Sequence, residues 1–125
     1  MSLPQGPADR PTYVLLVRHA DVHNPNQVLY GRLPRYRLSE QGIGEAERLA
    51  RFLSGVRLAA IYSSPQLRAR QTAQYVAAHH PEVRPKVSQL IAEVLTGWQG
   101  TREKDLPPGL NYYVTQKYPT DETLD

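Results

Sequence analysis

Two short apolar runs, each followed by a segment of helical periodicity, narrow the folds open to this chain more than anything else in it. Tyr13-Val14-Leu15-Leu16-Val17 and Leu58-Ala59-Ala60-Ile61-Tyr62 are unbroken, each about one strand long. Continuous rather than alternating apolarity is the pattern of a parallel strand covered on both faces. After the first run, Ser39 is placed as an N-cap, and Ile43, Ala46, Leu49, Ala50 and Leu53 line one helical face before Gly55 stops the helix. After the second, Ser64 is an N-cap with Pro65 at the first helical position, and Leu67, Ala73, Val76 and Ala77 form a stripe down to His79-His80-Pro81. Strand, helix, strand, helix predicts an α/β fold, a mainly parallel sheet flanked by helices. Val87 to Ile91 is a third, shorter strand candidate, with Glu93 just beyond it.

The rest of the chain adds one domain and no more. Residues 1–11 hold three prolines and little apolar content, which predicts a flexible lead-in; residues 12–125 are the α/β domain. From Thr96 the chain turns irregular, through Gly97, Gly100 and Pro107-Pro108-Gly109, to a tyrosine-rich piece with Tyr112, Tyr113 and Tyr118 that has short-helix character. A 125-residue chain with 40% hydrophobic residues can build one core. The net charge of +3 comes from mixed signs with no Lys/Arg-rich run, so a nucleic-acid partner is not expected, whereas a small anion is. No cysteine means no disulfide, no thiol nucleophile and no thiolate metal site. No apolar stretch approaches the roughly 18 residues of a membrane helix, and no signal core is present, so the expectation is a cytoplasmic protein without membrane contact.

Chemistry concentrates where the first strand ends. Arg18-His19 puts a fixed cation and an imidazole at its carboxyl end, where open α/β sheets hold ligands. The polar segment Asp21 to Arg37, with Asn24-Pro25-Asn26, Gly31 and Pro34, reads as a long functional loop leaving that end. Arg68, in the first turn of the second helix, converges on the same point if the two strands are neighbours, and the helix N-terminus also favours an anion. Two guanidiniums and a helix end suit a phosphoryl group, whose transfer is mostly positioning and charge neutralisation. His19 is then the nucleophile, kept neutral by its cationic neighbours and aimed by its other ring nitrogen donating to a backbone carbonyl. Glu93 is the acid, because a carboxyl beside a phosphate dianion keeps a proton for the leaving oxygen. His79 and His80 read as dipole-complementing residues in the last turn of a helix, His23 as a loop residue, and Trp98 as a packing anchor. None of the four histidines has zinc-site spacing, so no metal and no cofactor is expected.

Taken together, Leu16-Val17-Arg18-His19-Ala20, Gly31-Arg32, Leu38-Ser39-Glu40-Gln41-Gly42, Tyr62-Ser63-Ser64-Pro65-Gln66-Leu67-Arg68-Ala69-Arg70-Gln71-Thr72-Ala73, and Glu93 with Gly97 and Gly100 resemble the histidine phosphatase superfamily, the phosphoglycerate mutase-like family. The resemblance covers about residues 13 to 125. It implies a mainly parallel sheet flanked by helices and a phosphohistidine mechanism: His19 attacks phosphorus, Arg18 and Arg68 hold the phosphoryl oxygens, Glu93 protonates the leaving group, and Asn24 and Arg32 contact substrate from the loop. A phosphomonoester phosphatase acting on a small phosphorylated substrate is the reading that follows. A mutase-type phosphotransferase and an inactive relative that only binds phosphorylated ligands are the alternatives. The sequence departs from the family at Ala20, where glycine is usual, and at Pro25, where mutase-type members carry asparagine. It also lacks the family's second histidine, in a His-Gly turn after a later central strand; Pro119-Thr120-Asp121-Glu122-Thr123 resembles the segment before that portion. An incomplete sheet leaves open edges, and the expectation is a fragment, a homo-oligomer or a marginal fold.

Overall fold

Helix α1, Glu40–Leu53, begins where the sequence places it. The Ser39 hydroxyl accepts the Gly42 amide, Glu40 sits in the first turn and Arg51 in the last, and Gly42, Ala46, Ala50 and Leu53 form the buried stripe. In this computed structural model, which describes residues 11–108, the helix is followed by β1 (Tyr62–Ser63), α2 (Leu67–Ala77) and β2 (Lys86–Val87). Two 3₁₀ turns, Gln89–Ile91 and Glu103–Asp105, complete the order. β1 and β2 pair in parallel, Tyr62 opposite Lys86 and Ser63 opposite Val87, and the two helices pack against each other beside them. The architecture is α/β, with a parallel sheet and helices as expected. The lead-in 1–10, the three tyrosines Tyr112, Tyr113 and Tyr118, and residues 119–123 lie outside the described residues.

The core is two small clusters. Ala20, Leu38 and Ala46 pack with Tyr75 near the start of α1, and Leu53, Val56 and Val76 pack with Leu49, Leu58 and Ile61 near its end. His80 closes the second cluster. It follows α2 rather than forming its last turn, is buried, and donates from Nε2 to the Leu53 carbonyl at 3.0 Å, tying the ends of the two helices together.

Several boundaries differ from the sequence reading. Tyr13–Val17 forms no strand: it runs to His19 without pairing, and Leu16 is 94% exposed. A strand exists only when a neighbour takes up its backbone groups, and among the described residues none flanks this run. Of Leu58–Tyr62 only Tyr62 belongs to β1, and Ala59 and Ala60 are exposed. Of Val87–Ile91 only Val87 is in β2, because the Ser88 hydroxyl accepts the Leu90 amide and turns the chain into a 3₁₀ helix. α2 starts after Gln66, not at Pro65. The Ser64 hydroxyl is taken by the Gln66 side-chain oxygen at 2.6 Å and makes no cap. α1 is closed by Ser54, whose hydroxyl donates to the Arg51 carbonyl, one residue before Gly55. No helix among the described residues is long and apolar enough to cross a membrane.

Residues 21–37 form a long irregular connection, anchored rather than free. Val22 bridges Leu38, and Val28 bridges Arg102. Leu29 donates to Thr101 and accepts from Gly100, so the loop is pinned against residues 100–102.

Candidate active site

His19 stands half-buried at the end of the extended run, and its Nδ1–H donates to the Ala20 carbonyl at 2.7 Å. That bond leaves Nε2 as the ring nitrogen with a free lone pair. Burial is the main cause holding the imidazole's proton affinity below its usual value of 6.5; the Ala20 carbonyl works against this, the Arg68 and Arg18 charges add to it, and Glu93 opposes them. The net effect favours the neutral ring at neutral pH.

The backbone next to the ring is held from both helices. From α2, the Thr72 hydroxyl accepts the Ala20 amide at 3.1 Å while donating to the Arg68 carbonyl at 2.9 Å. From α1, Glu45 Oε1 accepts the Asp21 amide at 2.9 Å, the Ser39 amide donates to the Asp21 carbonyl at 3.0 Å, and the Ser39 hydroxyl donates to the Asp21 carboxylate at 2.6 Å. Gly42 makes this approach feasible, since a Cβ there would stand 2.0 Å from the Asp21 carbonyl oxygen.

Arg68, the second residue of α2, is 2% exposed, which a charged side chain tolerates only when it is partnered. Its Nη2 donates to the Gly31 carbonyl at 2.9 Å and reaches Glu93 Oε2 at 3.4 Å. Its guanidinium lies 4.3 Å from the centroid of the Tyr30 ring. Tyr30 in turn meets His19 edge-on at 6.4 Å and packs on Tyr36 at 5.2 Å, so one aromatic ring links the imidazole to the buried guanidinium. Gly31 presents its carbonyl from a left-handed turn, φ +50°, with Gln99 packed where a side chain would go. Glu93 is fixed by its own backbone: its amide donates to Gln66 Oε1 and its Oε1 accepts the Val94 amide.

A cavity of about 280 Å³ opens beside His19, lined also by Arg18, Ala20, Asp21, Val22, Tyr30 and Glu45. Arg18 is exposed there and makes no hydrogen bond or ion pair among the described residues. Arg68 and Glu93 are not part of that lining; Arg68 lies against the ring of Tyr30, which is. Of the six residues expected at the site, the structure therefore gathers His19, Arg18, Arg68 and Glu93. Arg32 joins them at the edge, donating from Nε to the Glu93 carbonyl and from its amide to Gln99. Asn24 does not join: its side chain donates to the Val28 carbonyl and accepts the Val28 amide, closing the loop on itself. Tyr30, Glu45 and Thr72 were not singled out by the sequence. Thr72 carried a usable signal, four residues after Arg68 and hence on the same helical face; Tyr30 and Glu45 carried none. Among the described residues no three His, Asp or Glu side chains are grouped so as to hold a metal ion.

The model of the histidine phosphatase superfamily (branch 1) matches residues 14–120. The uncharacterized protein Rv0525 of Mycobacterium tuberculosis (strain H37Rv) is 45% identical over 69 residues, 55% of this chain and 34% of that protein. Fructose-2,6-bisphosphatase TIGAR of Xenopus laevis is 41% identical over 59 residues, 46% of this chain and 22% of that one. Among solved structures, a phosphoserine phosphatase from Entamoeba histolytica in complex with 3-phosphoglyceric acid aligns with a TM-score of 0.62 at 28% identity, over 75% of this chain and 46% of its own. Mycobacterial glucosyl-3-phosphoglycerate phosphatase aligns with a TM-score of 0.59 at 28% identity, over 66% and 39%. The chain thus spans about a third of the first relative and under half of each solved structure.

Proposed function

Since this chain belongs to the histidine phosphatase superfamily, we propose that it is a phosphomonoester phosphatase working through a phosphohistidine on Nε2 of His19. The observation that carries the reading is the Nδ1 bond to the Ala20 carbonyl, which leaves Nε2 as the attacking atom of a neutral ring at the cavity wall. Nε2 attacks phosphorus in line, the phosphorus–oxygen ester bond breaks, and the leaving oxygen takes a proton from the Glu93 carboxyl. Water then attacks the phosphohistidine, gives its proton back to Glu93, and the phosphorus–nitrogen bond breaks to release inorganic phosphate. Arg18 and Arg68 neutralise the oxygens during both steps, and Arg32 is the loop residue offered to the remainder of the substrate.

The Arg68–Glu93 pair suits this cycle. An arriving phosphate dianion competes with the carboxylate for the guanidinium, which releases the Glu93 side chain toward the leaving oxygen. Hydrolysis, rather than transfer to a second acceptor, is supported by relatives named as phosphatases and bisphosphatases. Their substrates, as those names give them, are small phosphorylated metabolites, and a cavity of about 280 Å³ suits a leaving group of that size. The uncovered run at Tyr13–Val17 supports a homo-oligomer.

The test is hydrolysis of an aryl phosphate at mildly acidic and neutral pH, with His19→Ala beside the native chain. Turnover that the substitution lowers by roughly 10⁴-fold or more is the expected result. Equal rates in both overturn the nucleophile. Phosphate binding without turnover in either replaces the reading with that of a phosphate-binding relative.

A further inference from the structure

The Glu45 carboxylate lines the same cavity as His19, and its two oxygens are taken by the Asp21 amide and by the Gln41 side-chain amide. Its Oε1 accepts the Asp21 amide at 2.9 Å, and that N–H belongs to the peptide group whose carbonyl, Ala20 O, accepts His19 Nδ1–H at 2.7 Å. Carboxylate, peptide and imidazole are therefore in series, one peptide plane joining a helix side chain to the nucleophile's ring. We propose that Glu45 is a positioning residue for the nucleophile: by gripping the Ala20–Asp21 peptide it aims the Ala20 carbonyl at Nδ1, and so selects the tautomer that leaves Nε2 bare. The proposal rests on the reading of His19 as the nucleophile.

Three features support a role beyond fastening α1 to the loop. The Ser39 and Gly42 contacts already fasten Asp21, through its carbonyl and carboxylate, so the amide contact of Glu45 is not needed for attachment. A peptide whose N–H donates to an anion has a more strongly accepting carbonyl, because hydrogen bonds in series polarise one another. Finally, the Asp21 amide, ahead of the Gln41 side chain, holds the Glu45 carboxyl below its ordinary range; Arg48 acts in the same direction and Asp21 against it, so the charged, more strongly accepting carboxylate is favoured. The charged groups facing His19 itself are Arg68 of α2, Arg18 and Glu93.

The test reads the ring directly, in the native chain carrying ¹⁵N-histidine, above the pH at which His19 loses its proton. The native chain is expected to show one tautomer, protonated at Nδ1. Glu45→Leu is expected to show comparable populations of both and a titration midpoint moved further down, because the carbonyl that stabilises the cation is no longer aimed. Glu45→Gln, which keeps an acceptor oxygen at the same reach, is expected to restore the single tautomer. An unchanged ring in Glu45→Leu, or a Glu45→Gln ring as disturbed as that of Glu45→Leu, overturns the proposal. His80, buried between the helix ends, reports in the same spectrum whether the helix pair is intact. If Glu45→Leu loses the His80 signal, the decision passes to Glu45→Asp, too short to reach the Asp21 amide, in which a native tautomer overturns the proposal. No substrate enters this measurement, so absent aryl phosphate turnover would sink the phosphatase reading and leave this result standing.

Discussion

The helical half of the molecule and its strand half are finished to different degrees. Around His19 the two helices and the loop spend side chains on each other's backbone: Thr72 on Ala20, Glu45 on Asp21, Arg68 on Gly31, Gln71 on the Leu38 amide at 2.9 Å. Along the strand runs the reverse holds, and Leu16, Val87, Leu90 and Ile91 carry apolar side chains into solvent. The sheet is two residues wide in each strand, yet the imidazole, the buried guanidinium and the carboxylate are in place. The site is thus assembled by caps, helix faces and a pinned loop, and does not wait on the sheet. Such a division means that a substitution should be felt in activity or stability according to the half in which it falls.

The sharpest way to break this division is Arg68→Met. It removes the partner of both the Gly31 carbonyl and Glu93, and we expect a loss of roughly 10³-fold in kcat/KM together with about 2 kcal/mol of stability, read by steady-state kinetics and urea unfolding. A loss below about tenfold would move the phosphate site away from α2. Next in size is a matched pair of leucines. Leu53→Ala, in the cluster between the helix ends, should cost about 2–4 kcal/mol, whereas Leu90→Ala, 96% exposed, should stay within about 0.5 kcal/mol. A large effect at Leu90 would show that the strand half is covered in solution, and sedimentation of the two variants would tell whether a second copy covers it.

The smallest effect expected is one of pH. His19 binds its proton less readily folded than unfolded, where the value is near 6.5. Between the two values the unfolded chain carries more protons, so stability rises with pH across that window. The contribution is complete above pH 6.5 and lost as pH falls through the lowered folded value, and His19→Ala should abolish this slope in unfolding midpoints. The acidic limb of kcat/KM should lie in the same place, below pH 6.5, since only the neutral ring attacks.

What could be read from the amino acids follows the same division. The Ser39 cap and the Ala46, Ala50, Leu53 stripe were legible because capping and helical burial are decided within a few residues. Arg18 and His19 stood out because they close an apolar run, Arg68 because it opens a helical stripe, and Glu93 because it follows another apolar run. The extents of the strands were not, because pairing is a property of neighbours and Tyr13–Val17 has none among the described residues. Ser64 read as a cap until the Gln66 side chain claimed its hydroxyl, and Asn24 read as a ligand contact until Val28 claimed both ends of its amide. Glu45 and Tyr30 act on groups far away in sequence, across a contact that only the folded chain creates.

Gly42 sets the clearance between α1 and the segment that bears His19. With a bare backbone at that position, the helix and the Asp21 carbonyl come within a distance no methyl group allows. The residue is thus a spacer of zero thickness. Any side chain there must be accommodated by lifting Asp21 off the helix, which also lifts the peptide that aims His19. A position with no functional group of its own therefore governs the alignment of one that has.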